Sequence, residues 1–269
     1  MVPLCLDPLT ARLCDQLGYG AGYLSGGALG YQLAVSEALL TVTELAGAAT
    51  AISRRSGLPI IVDGGVGFGD PVHVARMMWD FEAAGAVAVE LEDQVAPKRV
   101  SHHRGVEHLI TCNDMAAKIR HAVAARTDPD FLVIARTGAV RHEGFDAAID
   151  RGNAYFDAGA ELVMLFPGTD EEWARAAERL RGPLAVMATL DARRRADWAA
   201  FGCRVVIDPF TGQVAAFEAM RDVYRRQAAD QPGVAADQAA RFALYRELPG
   251  VAGLEELYDI ERATTEVGT

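Results

Sequence analysis

A chain of 269 residues with 51% hydrophobic but only 7% aromatic residues must build its core from aliphatic and alanine side chains. Twenty-six Lys+Arg against 37 Asp+Glu leave a formal charge of −11. Such a surface repels phosphate backbones, which excludes general nucleic-acid binding; no apolar stretch reaches the roughly 18 residues of a membrane span, so no membrane partner is expected.

The chain opens on MVPLCLDPLT, where no basic segment precedes an apolar one, so no signal peptide is expected. The four cysteines, Cys5, Cys14, Cys112 and Cys203, show no C-x-x-C spacing and read as buried reduced thiols, which with the missing leader predicts a cytoplasmic protein. Short apolar runs then recur at Val2–Leu6, Gly22–Ser25, Pro59–Asp63, Ala86–Glu92, Phe131–Arg136, Leu162–Phe166, Leu184–Ala188 and Arg204–Asp208. Helical spacing fills the gaps at Thr43–Arg54, Pro71–Ala84, Asn113–Ala125, Phe145–Ala158, Asp170–Arg181 and Ala192–Phe201. Continuous apolar runs followed by amphipathic segments predict an α/β fold with about eight β-then-α units, a (β/α)8 TIM-type barrel, with an open doubly wound sheet as its rival. Gly57, Gly85, Gly159, Gly182 and Gly202 stand where helices should end in a left-handed residue. Two more helical stretches, about Ala215–Asp230 and Asp237–Arg262, exceed what a barrel needs. The chain thus divides into a barrel over residues 1–230 and a helical extension over 231–269, whose Leu and Tyr residues pack either on a neighbouring subunit or on its own barrel.

The chemistry of such barrels sits at the C-terminal ends of the strands. That rule selects Ser25-Gly26-Gly27, Asp63, Glu92-Asp93-Gln94, Arg136, Phe166-Pro167-Gly168 and Asp208. Glu90 and Glu92 are two apart in one strand and share a face. Asp63 and Glu92 converging at the mouth would suit a hard cation such as Mg2+; the competing reading pairs Glu92 with Lys98, Arg99 or Arg136. The loop from Pro97 to Gly105 gathers Lys98, Arg99, His102, His103 and Arg104 on an otherwise acidic protein. It reads as a lid over an anionic substrate, or as a solvated basic loop. The glycines from Gly64 to Gly69 match no nucleotide-binding motif.

In order and spacing, Tyr23-Leu24-Ser25-Gly26-Gly27, Val62-Asp63 through Gly67-Phe68-Gly69, Glu92-Asp93-Gln94 with Pro97-Lys98-Arg99, Asp128-Pro129-Asp130-Phe131 and Ile134-Ala135-Arg136-Thr137 resemble the isocitrate lyase/phosphoenolpyruvate mutase superfamily over nearly the whole chain. The resemblance implies a homotetramer, a dimer of dimers, with C-terminal helices exchanged between subunits. It also implies a small carboxylic acid as ligand, a 2-oxo or 2-hydroxy acid chelating Mg2+ on the way to an enolate-like intermediate. Tyr23, Ser25, Gly26, Gly27, Arg136 and Thr189 would bind the substrate, Asp63 and Glu92 would serve the metal, and Lys98, Arg99, His102, Arg136 and Glu37 would be catalytic.

The departures are equally specific. Where the family's lyases carry K-[KR]-C-G-H, with cysteine as proton donor, this chain reads Lys98-Arg99-Val100-Ser101-His102. The family's D-x-D becomes Asp63-Gly64-Gly65, its R-T-D becomes Arg136-Thr137-Gly138, a glutamate becomes Gly168 and an asparagine becomes Met187. A further aspartate corresponds to Glu37, Ser36 or Ala34. The expected activity is a Mg2+-dependent carbon–carbon lyase or decarboxylase whose metal site is weakened or lost. The alternatives are a phosphonopyruvate-type mutase or hydrolase, and a metal-free or non-enzymatic ligand-binding barrel.

Overall fold

Stretches that are apolar on both faces must pair every backbone group with neighbouring strands, and here they do so in parallel. The computed structural model describes residues 1–105 and 107–265; Val106, residues 266–269 and the side chains of His103, Ala235 and Ala236 lie outside the described residues. The strands are β1 (Gly22–Leu24), β2 (Ile60–Asp63), β3 (Ala88–Glu92), β4 (Leu132–Arg136), β5 (Leu162–Met164), β6 (Leu184–Met187) and β7 (Cys203–Ile207). They form one parallel seven-stranded sheet in chain order. The first apolar run joins its two edges: Val2 bridges Ile207 and Leu4 bridges Tyr23, both in parallel. The Val2 amide donates to the Val206 carbonyl at 2.7 Å, and the Cys5 amide to that of Tyr23 at 2.8 Å. This segment closes the sheet into a barrel, leaving no free edge, and removes the open-sheet alternative.

Around the sheet lie α1 (Pro8–Gln16), α2 (Gly26–Gln32), α3 (Val42–Ser53), α4 (Pro71–Ala83), α5 (Cys112–Ala125), α6 (Ala139–His142), α7 (Phe145–Asp157), α8 (Asp170–Arg179) and α9 (Arg195–Ala200). Local chemistry starts them: Asp7 accepts the Thr10 amide at 2.9 Å ahead of Pro8, and Thr41 and Glu44 form a capping box. Strand alternation splits the apolar residues into two sets. Tyr23, Ile61, Ala88, Ile134, Met164, Ala185 and Ile207 fill the barrel. Val62, Val89, Leu91 and Val133 face outward among Met77, Phe81, Ile119 and Tyr155 of the helices. Of the five glycines expected to be left-handed, Gly85, Gly159 and Gly202 are, whereas Gly57 and Gly182 are not. Gly182 is needed for space, since a Cβ there would lie 2.6 Å from the Phe156 ring.

The chain divides into two compact units, residues 1–211 and 212–269. The second consists of α10 (Thr211–Ala228), α11 (Ala235–Ala252) and α12 (Glu255–Thr264). The single helix expected over Asp237–Arg262 is therefore two, because Gly253 at φ 74° caps α11 in the left-handed region. None of this unit's described residues is buried, and Phe217, Tyr224, Phe242, Tyr245 and Leu257 are exposed. No described helix is long and apolar enough to cross a membrane.

Candidate active site

Register places Asp63 beside Glu90 across β2 and β3, and Glu92 beside Arg136 across β3 and β4. All four point into the barrel by the alternation that sends Ala88 inward and Val89 outward. Asp63, Glu90 and Glu92 are 6%, 0% and 2% exposed, so each charge needs a partner. Asp63 Oδ2 accepts the Gly26 amide and Oδ1 the Gly65 amide, both at 2.9 Å. Burial, then repulsion from Glu37, pushes the Asp63 carboxyl up to about 6. Deeper in the barrel, Tyr23 Oη donates to Glu90 Oε2 at 2.7 Å, and Arg136 Nη1 lies 3.4 Å from Oε1. Burial raises Glu90 to about 7 against the pull of Arg136. The Arg136 guanidinium also sits 3.6 Å from Glu92 Oε2 and 5.2 Å from the centre of the Phe166 ring.

The basic loop reaches this cluster from above β3. Lys98 Nζ lies 2.6 Å from Glu92 Oε1 and also pairs with Glu37 Oε1. His102 Nε2 is 3.3 Å from Glu37 Oε2, while its Nδ1 is 2.7 Å from the Arg99 carbonyl. Burial works against ionised Glu37, but His102 and Lys98 outweigh it and lower its pKa to about 2. The same hydrogen bond raises His102, and Glu92, Glu37 and Asp63 raise Lys98 despite its burial. Arg99 and Val100 are exposed, so Arg99 contributes its carbonyl to the cluster. The loop's two stems meet at the antiparallel bridge of Gln94 and Leu109, and Gln94 Nε2 donates to Glu92 Oε2 at 3.0 Å.

Of the three residues offered for the family aspartate, Glu37 is the one whose side chain meets Lys98 and His102. Ser36 instead caps the turn Glu37–Leu39 through the Ala38 amide, and Ala34 holds a φ of 56°. Ser25 Oγ caps α2 at the Ala28 amide, 3.2 Å away; the Gly26 amide is taken by Asp63, and a Cβ on Gly27 would lie 3.4 Å from Glu37 Oε2. Thr189 is half-buried after β6, its carbonyl accepting the Ala192 amide at 3.0 Å. Asp208 is structural, accepting the Thr211 amide at 2.9 Å and the Leu190 amide at 3.3 Å.

One network escaped sequence reasoning. Asp93, fully buried, accepts from Tyr155 Oη at 2.7 Å and from Arg151 Nη1 at 3.2 Å. Arg151 Nη1 also donates to the Ile110 carbonyl at 3.0 Å, and the Ile110 amide donates to the Asp93 carbonyl at 2.9 Å. The two stems of the basic loop are thus tied to α7 beside Glu92. Its only trace in the sequence is an arginine one turn before Tyr155, on a helix face that otherwise reads as apolar.

A cavity of about 350 Å3 opens against Gly26, Glu37, Asp63, Gly65 and Lys98. Among the described residues, no three His, Cys, Asp or Glu side chains converge closely enough to cage a metal ion. Instead, Glu37 and Glu92 pair with Lys98 at the mouth of a parallel barrel, and Asp63 lines the same cavity.

A closed α/β barrel with buried carboxylates at its C-terminal mouth, beneath a basic loop, has the architecture of barrel enzymes, whose active sites lie at that face. The phosphoenolpyruvate phosphomutase family model matches residues 1–228. The chain is 33% identical over 268 residues to the 2,3-dimethylmalate lyase of Eubacterium barkeri, covering 97% of this chain and 92% of that one. Among solved structures, the phosphoenolpyruvate phosphomutase of Streptomyces platensis subsp. rosaceus matches with a TM-score of 0.88 at 28% identity, covering 98% of this chain and 94% of that one. A phosphonopyruvate hydrolase in complex with oxalate and Mg2+ matches with a TM-score of 0.82 at 28% identity, covering 98% and 93%. The chain belongs to the phosphoenolpyruvate phosphomutase family, within the isocitrate lyase/phosphoenolpyruvate mutase superfamily.

Proposed function

We propose that this protein is a Mg2+-dependent carbon–carbon lyase or decarboxylase acting on a small 2-oxo or 2-hydroxy carboxylic acid through an enolate-like intermediate. The observation that carries the reading is the pairing of Glu37 and Glu92 with Lys98 in the cavity that Asp63 lines, with His102 on Glu37 and Arg136 on Glu92. The donors are hard carboxylate oxygens, which suit Mg2+, an ion that keeps several waters and takes one or two carboxylates plus substrate oxygens. Asp63 would hold it most directly, with Glu92 and Glu37 acting through water. When bound, the ion stabilises negative charge developing on the substrate's oxygens. A phosphonopyruvate hydrolase of similar fold carries oxalate, which has the shape of an enolised 2-oxo acid, together with Mg2+.

The chain's own groups supply the rest. Gly26, Gly27, Arg136 and Thr189 would face the substrate, the arginine toward its anionic oxygens, while Tyr23 is engaged by Glu90 and Ser25 by the start of α2. Lys98 draws the basic loop down over the mouth and excludes water. As the carbon–carbon bond breaks, its electron pair passes into the enolate. The other carbon leaves as CO2 or, from a 2-hydroxy acid, as a carbonyl whose hydroxyl proton is taken by a carboxylate of the cluster. His102, or a water it orients, returns a proton to the enolate carbon. Val100 has no proton to give, so that task moves to the histidine. His102→Ala is therefore expected to lower turnover by about 10²–10⁴-fold; an unchanged rate removes His102 from the mechanism.

Titration calorimetry tests the reading directly. Oxalate is expected to bind with Mg2+ present and to lose binding in EDTA; absence of binding in both conditions overturns the proposal. A second reading, a phosphonopyruvate-type mutase or hydrolase, draws support from Val100 in place of the lid cysteine and from the match to the Streptomyces platensis structure. Phosphorus NMR of phosphonopyruvate mixed with the protein separates the two, since an unchanged spectrum discards the second. We further propose a cytoplasmic homotetramer, a dimer of dimers, in which residues 231–269 form subunit contacts. The support is the exposed apolar set of α11 and α12, and light scattering coupled to size exclusion should report four subunits.

A further inference from the structure

Two of the four free cysteines meet. Cys5 belongs to the segment that closes the barrel, its amide donating to the Tyr23 carbonyl at 2.8 Å. After Asp7 the chain turns into α1, which brings Cys14 back to that segment. The two Sγ atoms are 3.7 Å apart, with the Cys5 thiol donating to the Cys14 sulfur. A Cβ on Gly22 would lie 2.5 Å from Cys5 Sγ, so this sulfur rests against bare main chain of β1. The pair lies outside the cavity that Asp63 lines.

A single buried thiol is inert, but two sulfurs in contact have a reaction open to them that one lacks. A disulfide is about 2.0 Å long, so bonding shortens a contact that the side chains already make. The hydrogen bond distinguishes the partners, lowering the Cys14 thiol from its ordinary value and raising that of Cys5. Cys14, 6% exposed against 0% for Cys5, is also the one a water-sized oxidant reaches first. We propose that Cys5 and Cys14 form a redox site, which a hydroperoxide converts reversibly to a disulfide. The Cys14 thiolate attacks one peroxide oxygen; the O–O bond breaks, and the departing hydroxide takes up the proton of that thiol. Cys5 sulfur then attacks the sulfur of the Cys14 sulfenic acid, the S–O bond breaks, and hydroxide leaves with the Cys5 proton as water. Two thiols thereby lose two electrons and hydrogen peroxide becomes two waters. The bond staples α1 to the segment that closes the barrel, and a thiol reductant reopens it.

To test this, the folded full-length protein is treated with hydrogen peroxide, its remaining thiols are alkylated in denaturant, and it is digested with trypsin. Cleavage after Arg12 falls between the two cysteines, so residues 1–12 and 13–54 stay together only through a disulfide. Mass spectrometry is expected to find the joined pair, two hydrogens lighter than the separate peptides, and dithiothreitol to release it. Cys5→Ser should leave Cys14 as a sulfenic acid that dimedone labels, whereas Cys14→Ser should leave Cys5 unoxidised. Recovery of both cysteines of the unaltered protein as alkylated thiols, whether or not Cys112 has reacted, overturns the proposal. So does a joined pair that forms only when peroxide is added in urea, because the folded chain then holds the sulfurs apart.

Discussion

Asp63→Ala should abolish turnover, with a loss of at least about 10³-fold, matching the several kcal/mol of charge stabilisation that a Lewis-acid site supplies. Asp63 accepts two backbone amides and faces Glu37 and Glu92 as like charges, so it is held in place at an electrostatic cost. Asp63→Asn keeps the shape and one strong acceptor but removes one of three mutually repelling carboxylates. The asparagine variant is expected to melt at the same temperature as the parent or above it, while losing both activity and Mg2+-dependent oxalate binding. This pairing of unchanged stability with lost function is the mark of a residue placed for chemistry. A variant that turns over normally removes Asp63 from the site and makes it an internal anchor for the Gly26 and Gly65 amides.

The second large effect belongs to Arg151. Replacing it by methionine leaves Asp93 buried with Tyr155, the Thr137 hydroxyl and the Gly138 amide but no counter-charge. Removing one partner of a buried pair costs about 3–5 kcal/mol, which in a domain of this size lowers Tm by roughly 10 °C. Adding Asp93→Asn should recover part of the loss, because the remaining buried group is then neutral. Thermal melts of the single and double variants measure this. An additive double variant shows that the two residues do not act as a pair.

Much of the fold is written in residue order. The apolar runs are continuous because both faces of each strand are covered, and eight of them alternating with amphipathic stretches leave few architectures open. Asp63, Glu92 and Arg136 were legible for a related reason: a charged residue at the end of an apolar run is costly unless the barrel mouth uses it. Glu37 was less accessible. It lies on a short turn with no periodicity, and its choice over Ser36 and Ala34 depends on where the backbone between Gly30 and Thr41 brings its side chain. The break at Gly253 was missed because Leu254 to Tyr258 resume helical spacing at once, and periodicity does not record a left-handed residue between two helices.

By itself, then, the sequence determined the parallel barrel, the strand ends that carry charge, and the loss of the lid cysteine, since each is a matter of residue type at a local spacing. The tertiary structure alone decided that Val2 and Leu4 close the sheet, that Lys98 stands between Glu37 and Glu92, and that Asp93 and Arg151 brace the stems of the basic loop. It also brought Leu40 and Leu45 to the cavity that Asp63 lines. Those arrangements join residues from six to more than 200 positions apart. Their energies come from burial and pairing across the closed barrel, which no local pattern encodes.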